Sequence, residues 1–191
     1  RYSDVYQIRP IITTEFNIEG YPSDKFLKLV TDVKPHQVTL VPDPPDAITS
    51  NAGWDTIKHK KMLTEIVDIL KKYNIRTSIF VDTNPDNIKG AIETGTDRIE
   101  LYTEPYASLF VIDPKKAIAP FVNAATIANN LGLEINAGHD LNLHNLNYFA
   151  TNIPFLKEVS IGHALISDAL YYGLENTIQL YKRKLILPKK I

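Results

Sequence analysis

The sequence predicts an α/β protein with a parallel sheet, and three features indicate this class. Short runs of apolar and β-branched residues alternate with longer stretches in which apolar residues recur at helical spacing. Two of the short runs end in Gly-His, at Gly138-His139 and at Gly162-His163. Side chains that can transfer a proton close nearly every short run. Because strands joined through a helix return in the same direction, we expect parallel pairing, with the chemistry at the carboxyl ends of the strands.

Six strands are expected in chain order, with helices between them. The predicted strands are 16–19, 37–42, 76–82, 98–103, 133–139 and 158–163. The predicted helices are about 23–33, 55–73, 84–95, 118–130, 146–150 and 164–184. Helical spacing defines the first two, while Asn84-Pro85 starts the third and Gly132 closes the fourth. No internal boundary interrupts the pattern, so residues 1–191 are expected to form a single domain.

The composition excludes several classes of partner. With 191 residues, 44% of them hydrophobic, the chain is long enough to bury a substantial core. A net charge of −1, with no basic cluster, predicts neither nucleic-acid nor membrane binding and favours a small-molecule partner. There is no signal-peptide pattern, no apolar run of membrane-spanning length and no cysteine. We therefore expect a soluble, cytoplasmic protein.

The alternation is compatible with two closures of the sheet. An open doubly wound sheet usually carries a glycine-rich phosphate turn after an early strand, and no such turn is present. A (β/α)8 barrel fits the pattern better, although it needs eight strands and about 250 residues. The sequence thus predicts a (β/α)8 TIM barrel from which the first two strands are missing.

The residues that close the strands are the candidate functional groups. Asp43 and Asp82 precede Pro-Pro and Thr-Asn-Pro, where turns favour aspartate, so they are interpreted as turn residues. Glu19 is a candidate base. Alternation along 98–103 places Glu100 on the same side as Arg98, toward a barrel interior, where a carboxylate must be paired or have a raised pKa.

The two Gly-His pairs differ in the residues that come after them. Gly162-His163 leads directly into a helical run, and the backbone N–H groups at a helix N-terminus after a late barrel strand attract phosphate. His139 instead has a structural or a chemical interpretation of about equal weight, and Gly138 before it favours close approach of a ligand.

At these residues the sequence resembles the pyridoxine 5'-phosphate synthase family. The resemblance covers most of the chain. It rests on six segments in order: Asn17-Ile-Glu19, Lys34-Pro-His-Gln-Val-Thr-Leu-Val-Pro42, Ile48-Thr49-Ser-Asn-Ala-Gly53, Ile99-Glu100-Leu-Tyr-Thr103 with Tyr106-Ala107, Asn136-Ala-Gly-His139 with His144-Asn145, and Ile161-Gly-His-Ala164.

The resemblance implies a metal-free and cofactor-free (β/α)8 enzyme of vitamin B6 biosynthesis. Members condense 1-deoxy-D-xylulose 5-phosphate with 3-amino-2-oxopropyl phosphate, and release inorganic phosphate and water. The match implies that Glu19 is the base, His139 the proton donor and Glu100 a carboxylate that stabilises the transition state. It also implies that Thr49 binds the deoxyxylulose phosphate and that Gly162 and His163 bind the aminoketone phosphate. The family precedent for assembly is a homo-octamer.

The sequence also departs from the family pattern. Two early motifs, Val-Asn-x-Asp-His and His-x-Arg-Glu-Asp-Arg-Arg-His, are absent, and they would supply a further histidine and arginines. We expect activity only when the segment with the two missing strands is present. Asp140 stands where members often have glycine. It is kept as a substrate-binding residue that would contact phosphate through its backbone N–H, with its charge turned away.

Two other classes stay open on the residues alone. A metal-dependent barrel epimerase or aldolase would collect Glu19, Asp82, Glu100 and His139 around a divalent ion. A non-catalytic phosphate-binding fragment is the second. A Schiff-base aldolase is disfavoured because no lysine closes a predicted strand.

Overall fold

The computed structural model describes residues 1–43 and 50–186 of the chain. The chain divides into two compact units, 1–100 and 101–191. Within the described ranges, no helix is long and apolar enough to cross a membrane.

The first unit contains three complete parallel strands and the start of a fourth. The strands are β1 (Asn17–Gly20), β2 (Gln37–Leu40), β3 (Arg76–Val81) and β4 (Arg98–Tyr102), which runs into the second unit. β1 pairs with β2 in parallel, with Glu19 opposite Thr39, and β2 pairs with β3, with Thr39 opposite Ser78. All four strands were predicted, and their shared direction brings the carboxyl ends of β1, β2 and β3 to one edge.

The helices of the first unit, except the first one, each bury an apolar face. They are α1 (Tyr2–Ile8), α2 (Asp24–Val33), α3 (Lys60–Lys72) and α4 (Pro85–Glu93), with a 3₁₀ turn at Arg9–Ile11 after α1. Ser23 caps α2 by accepting a hydrogen bond from Phe26 N–H, and Asn84 caps α4 by accepting one from Asp86 N–H. The buried positions of α3, Leu63, Ile66, Val67 and Leu70, follow the helical period.

The second unit is mainly helical. It contains β5 (Glu134–Gly138) and β6 (Leu156–Ser160), which pair in parallel. The helices are α5 (Glu104–Phe110), α6 (Pro114–Asn130), α7 (Leu146–Asn152), α8 (His163–Tyr172) and α9 (Leu174–Lys184). Three buried rings, Tyr106, Phe121 and Phe149, meet at centroid distances of 4.9 to 6.0 Å and join α5, α6 and α7.

The structure corrects three predicted boundaries in the second unit. The helix predicted over 164–184 is two helices, because Gly173 has φ 77° and ψ 147°, a conformation open almost only to glycine. The helix predicted at 118–130 begins at Pro114, where Asp113 caps it. The strand predicted over 158–163 is β6, which ends at Ser160, and Gly162 and His163 belong to the start of α8.

Candidate functional site

Glu19 lies at the carboxyl end of β1 with its side chain exposed. It lines a cavity of about 500 Å³ in the first unit, together with Gly20, Tyr21, Asp43 and Ser50. The carboxyl end of β1 therefore presents an accessible carboxylate beside a space of small-molecule size.

Glu100 lies on β4 and is only 1% exposed. The hydroxyl of Thr39, from β2, lies 3.3 Å from Glu100 Oε2 and 3.3 Å from the side-chain oxygen of Asn17, from β1. A carboxylate only accepts hydrogen bonds, so the Thr39 hydroxyl is the donor to Glu100. Three strands of the first unit thus fix one buried carboxylate, in agreement with the inward direction that alternation predicts for Glu100.

A second polar layer lies toward the amino ends of the same strands. Gln37 Oε1 accepts hydrogen bonds from Arg76 Nε at 2.8 Å and from Arg98 Nη1 at 3.1 Å. Glu15 forms an ion pair with Arg76 and lies 4.0 Å from Arg98 Nη1. Because Arg98 is bound in this layer, it has a structural role here, and Glu100 lies one step nearer the carboxyl end on the same face.

The predicted substrate-binding residue Thr49 lies outside the described residues. The segment after it packs closely over the ends of β2 and β3. Trp54 donates its indole N–H to Leu40 C=O at 3.0 Å and its backbone N–H to Phe80 C=O at 2.8 Å. A Cβ on Gly53 would lie 2.3 Å from the backbone nitrogen of Asp82. Glycine in this motif is therefore required by close backbone approach.

His139 follows β5 and has the unusual φ of 90° for a residue with a side chain. Thr103 holds this turn: its hydroxyl donates to Gly138 C=O at 2.8 Å and also contacts His139 C=O, and its backbone N–H donates to Gly138 C=O at 2.9 Å. The ring of Tyr102 meets the imidazole edge-on at 5.0 Å. The imidazole is 18% exposed, so it is largely enclosed but still accessible.

Asp140 continues this turn with φ 59°. Its carboxylate oxygen Oδ2 lies 2.9 Å from His139 Nδ1. Its carbonyl accepts hydrogen bonds from the side-chain amides of Asn145 at 3.1 Å and Asn142 at 3.4 Å. The Asp140 side chain is thus directed at the neighbouring imidazole.

Gly162 and His163 lie at the start of helix α8, which begins one residue earlier than the sequence predicts. Gly162 is the N-cap and has no side-chain cap. A Cβ on Gly162 would meet no atom of the described chain within 4 Å. Neither packing nor a positive φ requires glycine at this position. Because Gly162 has no side chain, there is open space beside the N–H groups of the first turn.

Other predicted residues have structural roles. Asp82 accepts hydrogen bonds from Asn84 N–H and from the Asn87 side chain, both at 3.0 Å, which confirms it as a turn residue. Across residues 1–43 and 50–186, no three His, Asp or Glu side chains form a group that could hold a metal ion.

Three residues that support the site were given no role from the sequence: Thr39, Asn142 and Asn145. Thr39 and Asn145 stand in segments that carry the family resemblance, but no function was assigned to them. Thr39 could have been found, because Gln37 and Thr39 alternate with Val38 and Leu40 along β2, which indicates a polar inward face. Alternation could not have identified Asn142 and Asn145, because they lie in an irregular turn and act by donating to the carbonyl of Asp140.

Comparison with solved structures shows the fold class. The chain is similar to the tryptophan synthase α-subunit of Pyrococcus furiosus, with a TM-score of 0.61 and 16% identity over 96% of this chain and 70% of that one. It is also similar to 3-keto-L-gulonate-6-phosphate decarboxylase of Vibrio cholerae, with a TM-score of 0.63 and 10% identity over 96% and 78%. At these identities the likeness concerns the fold alone, which is that of a (β/α)8 barrel with six of the strands.

Comparison with characterised sequences shows the family. The chain is 66% identical to a protein of Parabacteroides distasonis called pyridoxine 5'-phosphate synthase, over 95% of this chain and 76% of that protein. It is 62% identical to the protein of the same name from Cytophaga hutchinsonii, over 97% of this chain and 78% of that protein. The family model described as pyridoxal phosphate biosynthesis protein PdxJ matches residues 1–186. The chain therefore belongs to the PdxJ family of pyridoxal phosphate biosynthesis proteins.

Proposed function

We propose that this chain is a pyridoxine 5'-phosphate synthase. It condenses 1-deoxy-D-xylulose 5-phosphate with 3-amino-2-oxopropyl phosphate to form pyridoxine 5'-phosphate, inorganic phosphate and water. The observation that carries the proposal is the identity of 57 to 66% with relatives of that name, over at least 95% of this chain. At such identity the chemistry of the strand ends is expected to be shared.

Glu19 acts as the base. Building the pyridine ring requires removal of protons beside a carbonyl or imine carbon, and a carboxylate at an accessible strand end suits that step. The cavity beside Glu19, of about 500 Å³, supports this role because it admits a phosphorylated sugar-sized molecule.

His139 acts as the proton donor that lets oxygen leave as water. Its support is the enclosed position after β5 and the backbone turn that Thr103 holds. Glu100 stabilises cationic iminium character as the ring forms. Its burial and its fixed position against Thr39 support that role, because a preorganised carboxylate in a dry site interacts strongly with a developing positive charge.

Phosphate recognition uses backbone groups. Gly162 and His163 bind the aminoketone phosphate at the start of α8, where free N–H groups and the helix dipole favour an anion. Asp140 contacts phosphate through its backbone N–H, and Thr49 binds the deoxyxylulose phosphate.

The experiment is direct product analysis. The protein in its full encoded length is incubated with both substrates, and pyridoxine 5'-phosphate and released phosphate are quantified. We expect both products in equal amounts, none when either substrate is left out, and no loss after treatment with a chelator. Loss of activity on chelation, with recovery on adding a divalent ion, would favour the metal-dependent alternative, and phosphate binding without product would favour the non-catalytic one.

Assembly and location are part of the proposal. We propose a homo-octamer in the cytoplasm, where phosphorylated metabolites are available as substrates. The support for assembly is the family resemblance together with exposed apolar residues in the second unit, such as Ile166, Leu170 and Tyr171. Light scattering that gives a monomer mass in solution would contradict the octamer.

A further inference from the structure

The imidazole of His139 is paired with the carboxylate of the next residue. His139 Nδ1 and Asp140 Oδ2 lie 2.9 Å apart, a normal hydrogen-bond distance. The His139 side chain is 18% exposed and the Asp140 side chain is 45% exposed. The pair is therefore partly shielded, with the carboxylate on its more solvated side.

If the extended backbone of β5 continued through His139 and Asp140, their side chains would point to opposite faces, so this pairing needs a different backbone. His139 and Asp140 have φ of 90° and 59°, and both lie in the left-handed region that residues with a Cβ rarely adopt. Such conformations cost on the order of 1–3 kcal/mol each and persist only where the surroundings impose them.

The surroundings do impose the turn. The buried Thr103 hydroxyl binds the carbonyls of Gly138 and His139, and the Asn145 amide binds the carbonyl of Asp140 at 3.1 Å. Thr103 and Asn145 are 0% and 2% exposed. Two buried side chains thus hold the backbone in the form that turns Asp140 back onto His139.

We propose that Asp140 is a positioning residue for the proton donor His139. Its carboxylate accepts the Nδ1–H bond and so fixes the ring orientation and the tautomer. The proton that is transferred is then the one on Nε2, because Asp140 holds the other ring proton on Nδ1. The edge of the Tyr102 ring limits rotation about the side chain.

This role rests on the proposed synthase function and adds to it. The backbone N–H of Asp140 remains the group proposed for phosphate, while its side chain serves His139. Because of this pairing, the negative charge of Asp140 is directed at the imidazole of His139.

The first test reads the pairing without any assay of activity. Protein labelled with ¹⁵N in its five histidines is examined by NMR, and the His139 signals are assigned with His139→Gln. We expect Nδ1 of His139 to carry a proton in the wild type and this signature to be lost in Asp140→Gly. The same nitrogen signals in both proteins would overturn the pairing.

The second test separates positioning from binding and from folding. Asp140→Asn keeps the shape and tolerates a positive φ, but it removes the charge. We expect its kcat to fall roughly 10- to 100-fold with both KM values within about twofold of wild type. Asp113→Asn, an exchange at the cap of α6 where asparagine serves equally well, is the matched control and should leave kcat unchanged.

The results of these tests separate failure of the positioning role of Asp140 from failure of the proposed synthase function. An unchanged kcat in Asp140→Asn, or a rise in KM alone, would overturn the positioning role while the synthase function stands. A wild-type protein that makes no product would instead contradict the proposed function and with it the catalytic role of His139 that Asp140 supports.

Discussion

At the scale of single residues, the buried carboxylate of Glu100 depends on the hydroxyl of Thr39. Thr39 is fully buried and lies 3.3 Å from Glu100 Oε2. Thr39→Val keeps the shape but removes the donor, and we expect it to lower the free energy of unfolding by roughly 1–3 kcal/mol. Thr39→Ser should recover most of this loss. Urea unfolding measures both variants, and equal stability of Thr39→Val and wild type would contradict the assigned contact.

Residue alternation explains why some of these contacts could be predicted and others could not. The inward direction of Glu100 follows from the period of two along β4, and the same rule would have identified Thr39. The pairing of His139 with Asp140 runs against that rule. It depends on two positive φ angles, and those depend on Thr103, which lies 36 residues before His139, and on Asn145, which lies in the irregular turn after Asp140.

At the scale of elements, Tyr106 of α5 connects three helices of the second unit. Its ring packs on Phe121 of α6 and Phe149 of α7, and its hydroxyl donates to Asn145 C=O at 2.7 Å. Burial raises the pKa of this phenol above its ordinary value of about 10. The folded state therefore keeps Tyr106 neutral at a pH where the unfolded chain ionises it.

The sign of the pH dependence follows from this shift. Below pH of about 10 the phenol is neutral in both states, so its burial is fully favourable there. As the pH rises above that value, ionisation lowers the free energy of the unfolded state, and the free energy of unfolding falls by about 1.4 kcal/mol per pH unit for this group. Tyr106→Phe should show a shallower loss above pH of about 10.

The measurement compares unfolding curves at several alkaline pH values. Tyr106→Phe should also be less stable at neutral pH, by about 0.5–1.5 kcal/mol, because the hydrogen bond to Asn145 is lost. Tyr73→Phe is the matched control, since Tyr73 is 42% exposed and should change neither quantity. Parallel curves for Tyr106→Phe and wild type would argue against the buried neutral phenol.

The helices that escaped prediction share one physical property. α1 and α5 have seven residues each, with no buried residue in α1 and only Tyr106 buried in α5. A helix this short with at most one buried residue shows no repeated apolar face, so periodicity cannot reveal it. Helix α7 has the same length but buries Leu146, Phe149 and Ala150, and it was predicted. The strands and the longer helices were predictable because burial on one or both faces imposes a pattern on the sequence.

At the scale of the whole molecule, family membership and local geometry come from different observations. The family model covers residues 1–186, and the fold class follows from structures that are only 10 to 16% identical. Neither gives the roles of single side chains. Those roles are inferred from the position of each side chain on the strands. Glu19 is accessible, Glu100 is buried, and His139 is largely enclosed, so each side chain suits a different step of proton transfer or charge stabilisation.

The most direct test of the account is a side-by-side measurement of turnover and phosphate affinity in wild type and Glu19→Gln, both in full encoded length. We expect wild type to form pyridoxine 5'-phosphate and Glu19→Gln to lose roughly 10²- to 10⁴-fold in kcat, because the amide cannot accept a proton. Phosphate affinity should stay within about twofold, since the proposed phosphate contacts lie at other strand ends. An equal loss of turnover and affinity, or wild type without product, would contradict the account.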